Sequence, residues 1–239
     1  MQKGRCFVLE FFISSETEKY KLMDMFCMTD IGAPMEYRVN QYQFPLNLAD
    51  EMKEHPRTKW DKKLEDFLFA VYEKHQRDLK KSQFYYTKFW QKNFSRYFDP
   101  INRFFGTPVP KYRVLDAHFL DAISNWSEHN IVLNAYAYQT PNPMYHVYTL
   151  LYEIILSQAF IRVRQTKSKE QLSDEKLWVF AELTACVFLN KNFEEFAQAS
   201  ATGYPDVDKF LPRFWEITAD AKTFDELTKQ AFQIAYFKS

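Results

Sequence analysis

The sequence predicts a mainly helical α+β protein in which several long helices pack around a small β-sheet. Apolar residues recur every three or four positions over 58–98 and 144–190, which is the spacing of one helix face. The segments 112–119 and 130–138 are instead short, rich in β-branched and aromatic residues and bounded by polar turns, which is typical of strands. No internal repeat or domain-sized linker interrupts the 239 residues, so we predict a single domain over 1–239.

Local signals place the individual elements. Residues 1–50 are expected to form an N-terminal strand followed by loops, and 51–239 the helical body. Pro100 and the Gly-Thr-Pro-Val-Pro segment at 106–110 are expected to end the helical region, because proline lacks a backbone donor and clashes with the preceding turn. Ser173 is a good N-cap, and Thr223 opens a capping box. The predicted helices cover 58–79, 82–98, 144–164, 173–190, 193–201 and 223–237.

The composition excludes one common class of function. Hydrophobic residues make up 46% of the chain and charged residues 26%, and the net charge is zero, as in an ordinary globular protein. The chain has only 4 glycines and no glycine-rich phosphate loop, so we predict no nucleotide binding through such a loop, and we expect no cofactor. The aromatic fraction of 18% is high and predicts a core of large side chains.

The cysteines and the apolar runs indicate a compartment. Cys6, Cys27 and Cys186 are odd in number and widely spaced, which favours reduced thiols and a cytoplasmic protein. The apolar run near the N-terminus is interrupted by Glu10 and has no cleavage site after it, so we interpret it as a strand and not as a signal peptide. No stretch reaches the ~18–20 apolar residues of a membrane span.

Two glutamates stand out because each is alone in an apolar helix. Glu153 is the only charged residue over 144–161, and Glu182 is the only one over 177–189. A helix that is apolar nearly all round is a buried helix. Burying an unpaired carboxylate costs several kcal/mol or forces the group to take up a proton. Each glutamate therefore needs a physical explanation.

Three interpretations of these glutamates are open. Glu153 and His146 share a polar stripe of roughly 80° on one helix, so Glu153 can reach solvent along that stripe. Glu182 can instead form an ion pair with Arg162 or Arg164. In the functional interpretation, both carboxylates and His146 converge on a pocket where raised pKa values support acid/base chemistry or cation binding.

The order of these elements resembles the core of zincin-type metallopeptidases. A strand beginning at Asn130 is followed by a helix with a central glutamate, and then by a second helix with a buried glutamate. In that family the first helix carries H-E-x-x-H, whose histidines bind zinc and whose glutamate activates water. A glutamate on the following helix is the third ligand in the gluzincin branch. Here the matching residues are Tyr-Glu-Ile-Ile-Leu at 152–156, Glu182 takes the third position, and the resemblance covers 112–190.

The resemblance implies a zincin-like scaffold without its metal, because Tyr152 and Leu156 replace the two histidines. We therefore predict a non-catalytic protein with a binding or structural role, and no metal ligand. If the chain has a catalytic site, Glu153 is its catalytic residue, and His146, Tyr152 and Glu182 line its pocket. A metal-dependent hydrolase with a rearranged site is the alternative within this class.

A second alternative is nucleic-acid or polyanion binding through the segment 74–113. This segment has ten basic and two acidic residues, a net charge of +8, and many aromatic residues, which is the mixture that holds phosphates and stacks bases. Lys88, Lys92 and Arg96 share one helix face and are the candidate anion-binding residues. The same spacing is also that of a solvated helix face opposite core aromatics. A protein partner and an anionic ligand therefore both stay open.

Overall fold

A computed structural model describes residues 9–12, 46–118, 125–126, 130–134, 144–166, 172–197 and 201–237. Within these ranges the chain is mainly helical, which confirms that part of the prediction. The helices are α1 (Leu46–Glu54), α2 (Asp61–Phe105), α3 (Met144–Thr166), α4 (Asp174–Asn192), α5 (Pro205–Asp208), α6 (Leu211–Thr218) and α7 (Phe224–Ala231). The strands are β1 (Leu9–Phe12), β2 (Tyr112–His118), β3 (Asn125–Trp126) and β4 (Asn130–Asn134), and single 3-10 turns cover Arg57–Lys59, Glu194–Phe196 and Ala235–Phe237. Residues 1–8 and 13–45 of the predicted N-terminal strand and loops, residue 119 of the first predicted strand and residues 135–138 of the second lie outside the described residues, whereas 46–50 belong to α1 and not to a loop.

A single helix of 45 residues, α2, replaces the two helices predicted over 58–79 and 82–98. At 1.5 Å per residue it is about 68 Å long. The two predicted helices merge because no glycine or proline lies between them. The helix ends at Gly106, which adopts the left-handed conformation with φ 70° and donates its N–H to the carbonyl of Arg103 at 3.2 Å.

Pro100 lies inside α2, so the prediction that it ends the helix is wrong. A proline in a helix interior costs about 3 kcal/mol, because the carbonyl four residues earlier loses its donor. The side chains of Tyr97, Phe98 and Ile101 around it are almost completely buried. Each such burial contributes about 1.5–3 kcal/mol, which outweighs the cost of the proline.

The strands form a small sheet in the order β1-β2-β4-β3. β2 runs parallel to both β1 and β4, and β3 is antiparallel to β4. Val114 is at the centre, paired with Phe11 on one side and Ile131 on the other. The two predicted strands correspond to β2 and β4.

The prediction that the helices pack around this sheet is wrong, because the described core is helical. Burial is described for three strand side chains, those of Tyr112, Val114 and Ile131, and all three belong to the buried apolar cluster. The remaining members come from the helices and the short segments that join them. The physical reason is that α3 and α4 are apolar nearly all round and bury each other, so helices supply most of the described core.

The helices of the second half begin and pack as their sequences dictate. Ser173 caps α4 by accepting from the N–H of Lys176, and Thr223 and Glu226 form the capping box of α7, so both predicted caps are confirmed. One apolar cluster joins α2, α3, α4 and the C-terminal helices. None of the helices within the described ranges has the length and apolar character needed to cross a bilayer.

Candidate functional site

Glu153 lies in the middle of α3, with only 9% of its surface exposed. Within the described ranges its carboxyl group makes neither a hydrogen bond nor an ion pair. Burial, and after it repulsion from Glu182, raise the pKa of Glu153 from 4.5 to about 8. At neutral pH this side chain is therefore mainly a neutral carboxylic acid.

Glu182 faces Glu153 from α4, and its carboxylate, unlike that of Glu153, accepts hydrogen bonds from described residues. The hydroxyl group of Tyr152 donates to its Oε2 atom at 2.5 Å, and the Trp178 side chain also hydrogen-bonds to the carboxylate. Burial raises the pKa of Glu182 to about 7, although both hydrogen bonds oppose the rise. The two glutamates that the sequence singles out thus form one buried pair across the α3–α4 interface, which we call the carboxyl pair.

Asp208 and Cys186 complete the surroundings of the carboxyl pair. Asp208, at the end of α5, is close enough to Glu182 to raise its pKa, and it accepts hydrogen bonds from the N–H and hydroxyl groups of Thr202 at 2.7 and 2.8 Å. Cys186 is a fully buried reduced thiol whose pKa is raised to about 12, mainly by burial. A thiol of this kind is a core residue and a poor nucleophile at neutral pH.

The structure excludes both structural interpretations of the glutamates. The polar stripe of α3 is not solvated, because His146, Glu153 and Ser157 are all buried. The two arginines have other partners: Arg162 donates to the carbonyl of Phe105 and to Thr107, and Arg164 pairs with Asp174. Among the described residues, Glu182 is held by the Tyr152 hydroxyl group and the Trp178 side chain and not by a cation.

His146 lies apart from the carboxyl pair. Its ring stacks on the ring of Tyr86 in α2, with 3.4 Å between centroids and 9° between planes. It precedes Glu153 by seven residues, or about 10 Å along the helix axis. The structure therefore brings together Tyr152, Glu153 and Glu182 from the candidate site, and uses His146 to join α3 to α2.

Trp178 and Asp208 also lie near the carboxyl pair, and the sequence alone does not indicate that either interacts with Glu182. Trp178 precedes Glu182 by one helical turn, which places it on the same side of α4, but nothing in the sequence indicates that its side chain bonds the carboxylate. Asp208 follows Glu182 by 26 positions and reaches it only because α5 folds back onto α4. Distant contacts of this kind do not follow from helical periodicity.

Among the described residues, two grooves lie away from the carboxyl pair. Within those ranges, no group of three or more His, Cys, Asp or Glu residues is arranged to hold a metal ion. A groove of about 680 Å³ is lined by Arg103, Lys191 and others, and one of about 450 Å³ by Arg162 and others. Neither groove is lined by Glu153 or Glu182. General acid or base chemistry requires a substrate within hydrogen-bonding distance, and these grooves do not bring one to the pair.

Replacing Tyr152 by Phe is expected to lower the free energy of unfolding by about 1–3 kcal/mol at pH 8, where Glu182 is largely ionised. The hydroxyl group of Tyr152 stabilises the carboxylate, so its loss raises the pKa of Glu182 further. At pH 5 the loss of stability is smaller, because a protonated carboxyl group needs this donor less. Urea denaturation at both pH values measures the effect, with the exposed Tyr85→Phe as the control expected to change nothing. Equal losses at both pH values would mean that the hydroxyl group does not act on the carboxylate.

Two of the three candidate anion-binding residues, Lys88 and Lys92, lie on a side of α2 that is exposed to solvent. Arg77, Lys81, Lys88 and Lys92 are all exposed and fall within a sector of about 60° at 100° per residue; we call them the basic face. At 1.5 Å per residue they extend over about 22 Å. Lys81 pairs with Asp78 at 3.4 Å, whereas the other three make no ion pair within the described ranges.

Arg96 does not belong to the basic face. Its guanidinium group pairs with Glu195 at 2.8 Å and lies over the ring of Tyr97. Its charge is therefore already balanced within the protein. Of the three candidate anion-binding residues, Lys88 and Lys92 remain available to a ligand.

The aromatic residues of α2 divide into two sets. Tyr86, Trp90, Tyr97 and Phe98 are buried, which confirms that the regularly spaced aromatics belong to the core. Phe84 and Tyr85 are 66% and 44% exposed. The core spacing thus accounts for the first set, and the second set lies outside the described apolar cluster.

Comparison with known proteins finds no matching family model, no matching curated protein and no matching solved structure.

Proposed function

We propose that this chain is a non-catalytic protein that binds an anionic macromolecule along the basic face of α2. The observation that carries this proposal is the group of four exposed cations within one narrow sector of a rigid helix, three of them without an acidic partner in the described ranges. A rigid row of cations is suited to an extended chain of negative charges, because ligand binding releases the counterions that surround that chain.

The carboxyl pair supports the non-catalytic part of this proposal. Glu153, the candidate catalytic residue, is buried against Glu182 and lines neither groove. Leu156 occupies the position of the second zinc-binding histidine and is buried, and Tyr152 at the first position is bonded to Glu182. The relationship to zincins remains a hypothesis, which is supported by the order of β4, α3 and α4 and by the proximity of the two glutamates.

The compartment and the partner class belong to the same proposal. The odd, widely spaced cysteines favour the cytoplasm. We favour an anionic ligand over a protein partner, because the exposed side chains of the basic face are cations and an apolar docking surface is made of other residue types.

Replacing Lys88 and Lys92 together by Gln is expected to weaken the binding of an abasic oligodeoxynucleotide of about 12 phosphates. Each neutralised phosphate contributes about 0.7 to the slope of log affinity against log salt for a single strand, so the slope should fall by about 1.4. Fluorescence anisotropy at several salt concentrations measures the slope, and earlier elution from heparin resin supports it.

The matched control removes two exposed lysines elsewhere, by replacing Lys209 and Lys229 together by Gln. This variant has the same net charge as the first and should keep the original slope. Equal effects of the two variants would mean that net charge and not the basic face is responsible. If the wild-type protein binds neither the abasic oligodeoxynucleotide nor heparin resin at low salt, the proposed function is contradicted.

A further inference from the structure

We infer that the anionic macromolecule is a single-stranded nucleic acid whose bases stack on Phe84 and Tyr85 while its phosphates contact the basic face. This inference rests on the proposed function and adds the class of ligand to it. Its foundation is the position and exposure of two aromatic rings that the core does not use.

Phe84 and Tyr85 lie at the two margins of the basic face. They are neighbours in sequence and therefore point about 100° apart around α2. The four cations occupy the sector between them, with Lys81 one turn before Phe84 and Lys88 one turn after it. A chain that follows the cations along the helix thus passes an aromatic ring on either side.

Both rings are available to a ligand. Phe84 exposes 66% of its surface and Tyr85 44%, and neither belongs to the apolar cluster that joins the helices. By contrast, Phe89 and Phe94 on the same helix pack against that cluster. Single exposed apolar residues are common, but two adjacent exposed rings within a row of cations are the arrangement that nucleic-acid-binding grooves use.

Neighbouring groups hold the two rings in place. The ring of Tyr85 meets the edge of Tyr86 at 5.1 Å and 86°, and Tyr86 is fully buried, so Tyr85 stands on a fixed support. The ammonium group of Lys88 lies 5.6 Å from the centre of the Phe84 ring. This ammonium group covers one face of the ring, so a base that stacks on the opposite face has a cation beside the same ring.

Stacking selects among anionic macromolecules. A sulfated polysaccharide or a polyphosphate supplies charge but has no aromatic face to stack on the rings. A duplex has aromatic faces, but they are already stacked within the helix. A single-stranded nucleic acid combines negative charge on its phosphates with free aromatic faces on its unpaired bases, and stacking tolerates any base because each base has such a face.

The test compares two probes of about 12 nucleotides that carry the same number of phosphates: oligodeoxythymidylate and its abasic analogue. The wild-type protein is expected to bind the probe with bases about 5- to 150-fold more tightly, since stacking on one base accounts for a factor of this size. The double variant Phe84→Ala and Tyr85→Ala should bind both probes with the affinity that the wild type has for the abasic probe. Replacing both rings by Leu should give the same result, because Leu keeps the apolar volume but loses the aromatic face.

Trp215→Ala serves as the matched control, because Trp215 is an aromatic residue 40% exposed on α6. This variant should retain the preference for bases. Equal binding of the two probes to the wild type, with the salt slope intact, would overturn the inference and leave the proposed function standing. Binding of neither probe would overturn both, and equal or tighter binding of a duplex of the same length would overturn the inference alone.

Discussion

Replacing Glu153 by Gln is expected to raise the free energy of unfolding by about 3 kcal/mol at pH 8.5 and to leave it nearly unchanged at pH 4.5. Glutamine has the shape of a protonated glutamic acid and stays neutral at every pH. The substitution therefore removes the cost of keeping an ionisable group in the α3–α4 interface. Urea denaturation at a series of pH values measures the difference between the two proteins.

The sign follows from the direction of the pKa shift. The pKa of Glu153 is about 8 in the folded protein and 4.5 as its ordinary value, so the folded state holds a proton that the unfolded state releases. The stability that this proton contributes is fully present below pH 4.5 and is lost as the pH rises towards 8. Each unit of pKa difference corresponds to about 1.4 kcal/mol, and relaxation around a charged carboxylate reduces the total to about 3 kcal/mol. Glu182, whose pKa is raised to about 7, also lowers the stability of the folded protein as the pH rises, by a smaller amount.

Glu73→Gln is the control, because Glu73 is an exposed helical glutamate on α2. It should leave the pH dependence of stability as it is in the wild type. A Glu153 that was charged and held in a buried ion pair would give the opposite result, since removing its charge would leave a partner unpaired. Destabilisation of Glu153→Gln at pH 8.5 would therefore contradict the arrangement of the carboxyl pair.

Helical periodicity predicted the two glutamates correctly as isolated charges in buried helices, but it did not predict how each is accommodated. A helix that is apolar all round has no preferred face, so the sequence does not indicate which side meets which neighbour. The hydroxyl group of Tyr152 and the side chain of Trp178 reach Glu182 only because α3 and α4 pack in one particular register. For the same reason, the sequence offers Arg162 and Arg164 as partners of Glu182, but both arginines bind other groups.

The fold was predicted best where signals are local. The caps at Ser173 and Thr223 depend on residues within one turn and are both confirmed. The prediction that Pro100 ends the helix was wrong because it rests only on the local cost of the proline. The burial of Phe98 and Ile101 that offsets this cost depends on helices far along the chain. The prediction that the helices pack around the sheet was wrong for a related reason. Short β-branched segments indicate strands, but they do not indicate how the helices pack against them.

Replacing Phe180 by Ala is expected to lower the free energy of unfolding by about 3–5 kcal/mol, which is the usual cost of removing a large buried ring. Phe180 is fully buried in α4, and four other rings surround it at centroid distances of 5.4–6.1 Å. These four rings belong to Phe214, Phe224, Phe232 and Phe237. One ring thus connects α4 to α6, to α7 and to the last 3-10 turn, so the cavity left by alanine is shared among all of them. Urea denaturation at pH 7 measures the loss.

Two comparisons distinguish this connecting role from a general effect of losing an aromatic residue. Phe180→Leu keeps most of the apolar volume and should cost much less than Phe180→Ala, since the cavity is smaller. Phe84→Ala removes an exposed ring from α2 and should change the stability by less than about 0.5 kcal/mol. Hydrogen exchange should show that the amides of α6 and α7 lose protection in Phe180→Ala before those of α3, because these short helices depend on the ring for contact with α4. Uniform loss of protection across all helices would mean that the C-terminal helices do not depend on Phe180 separately from the rest of the core.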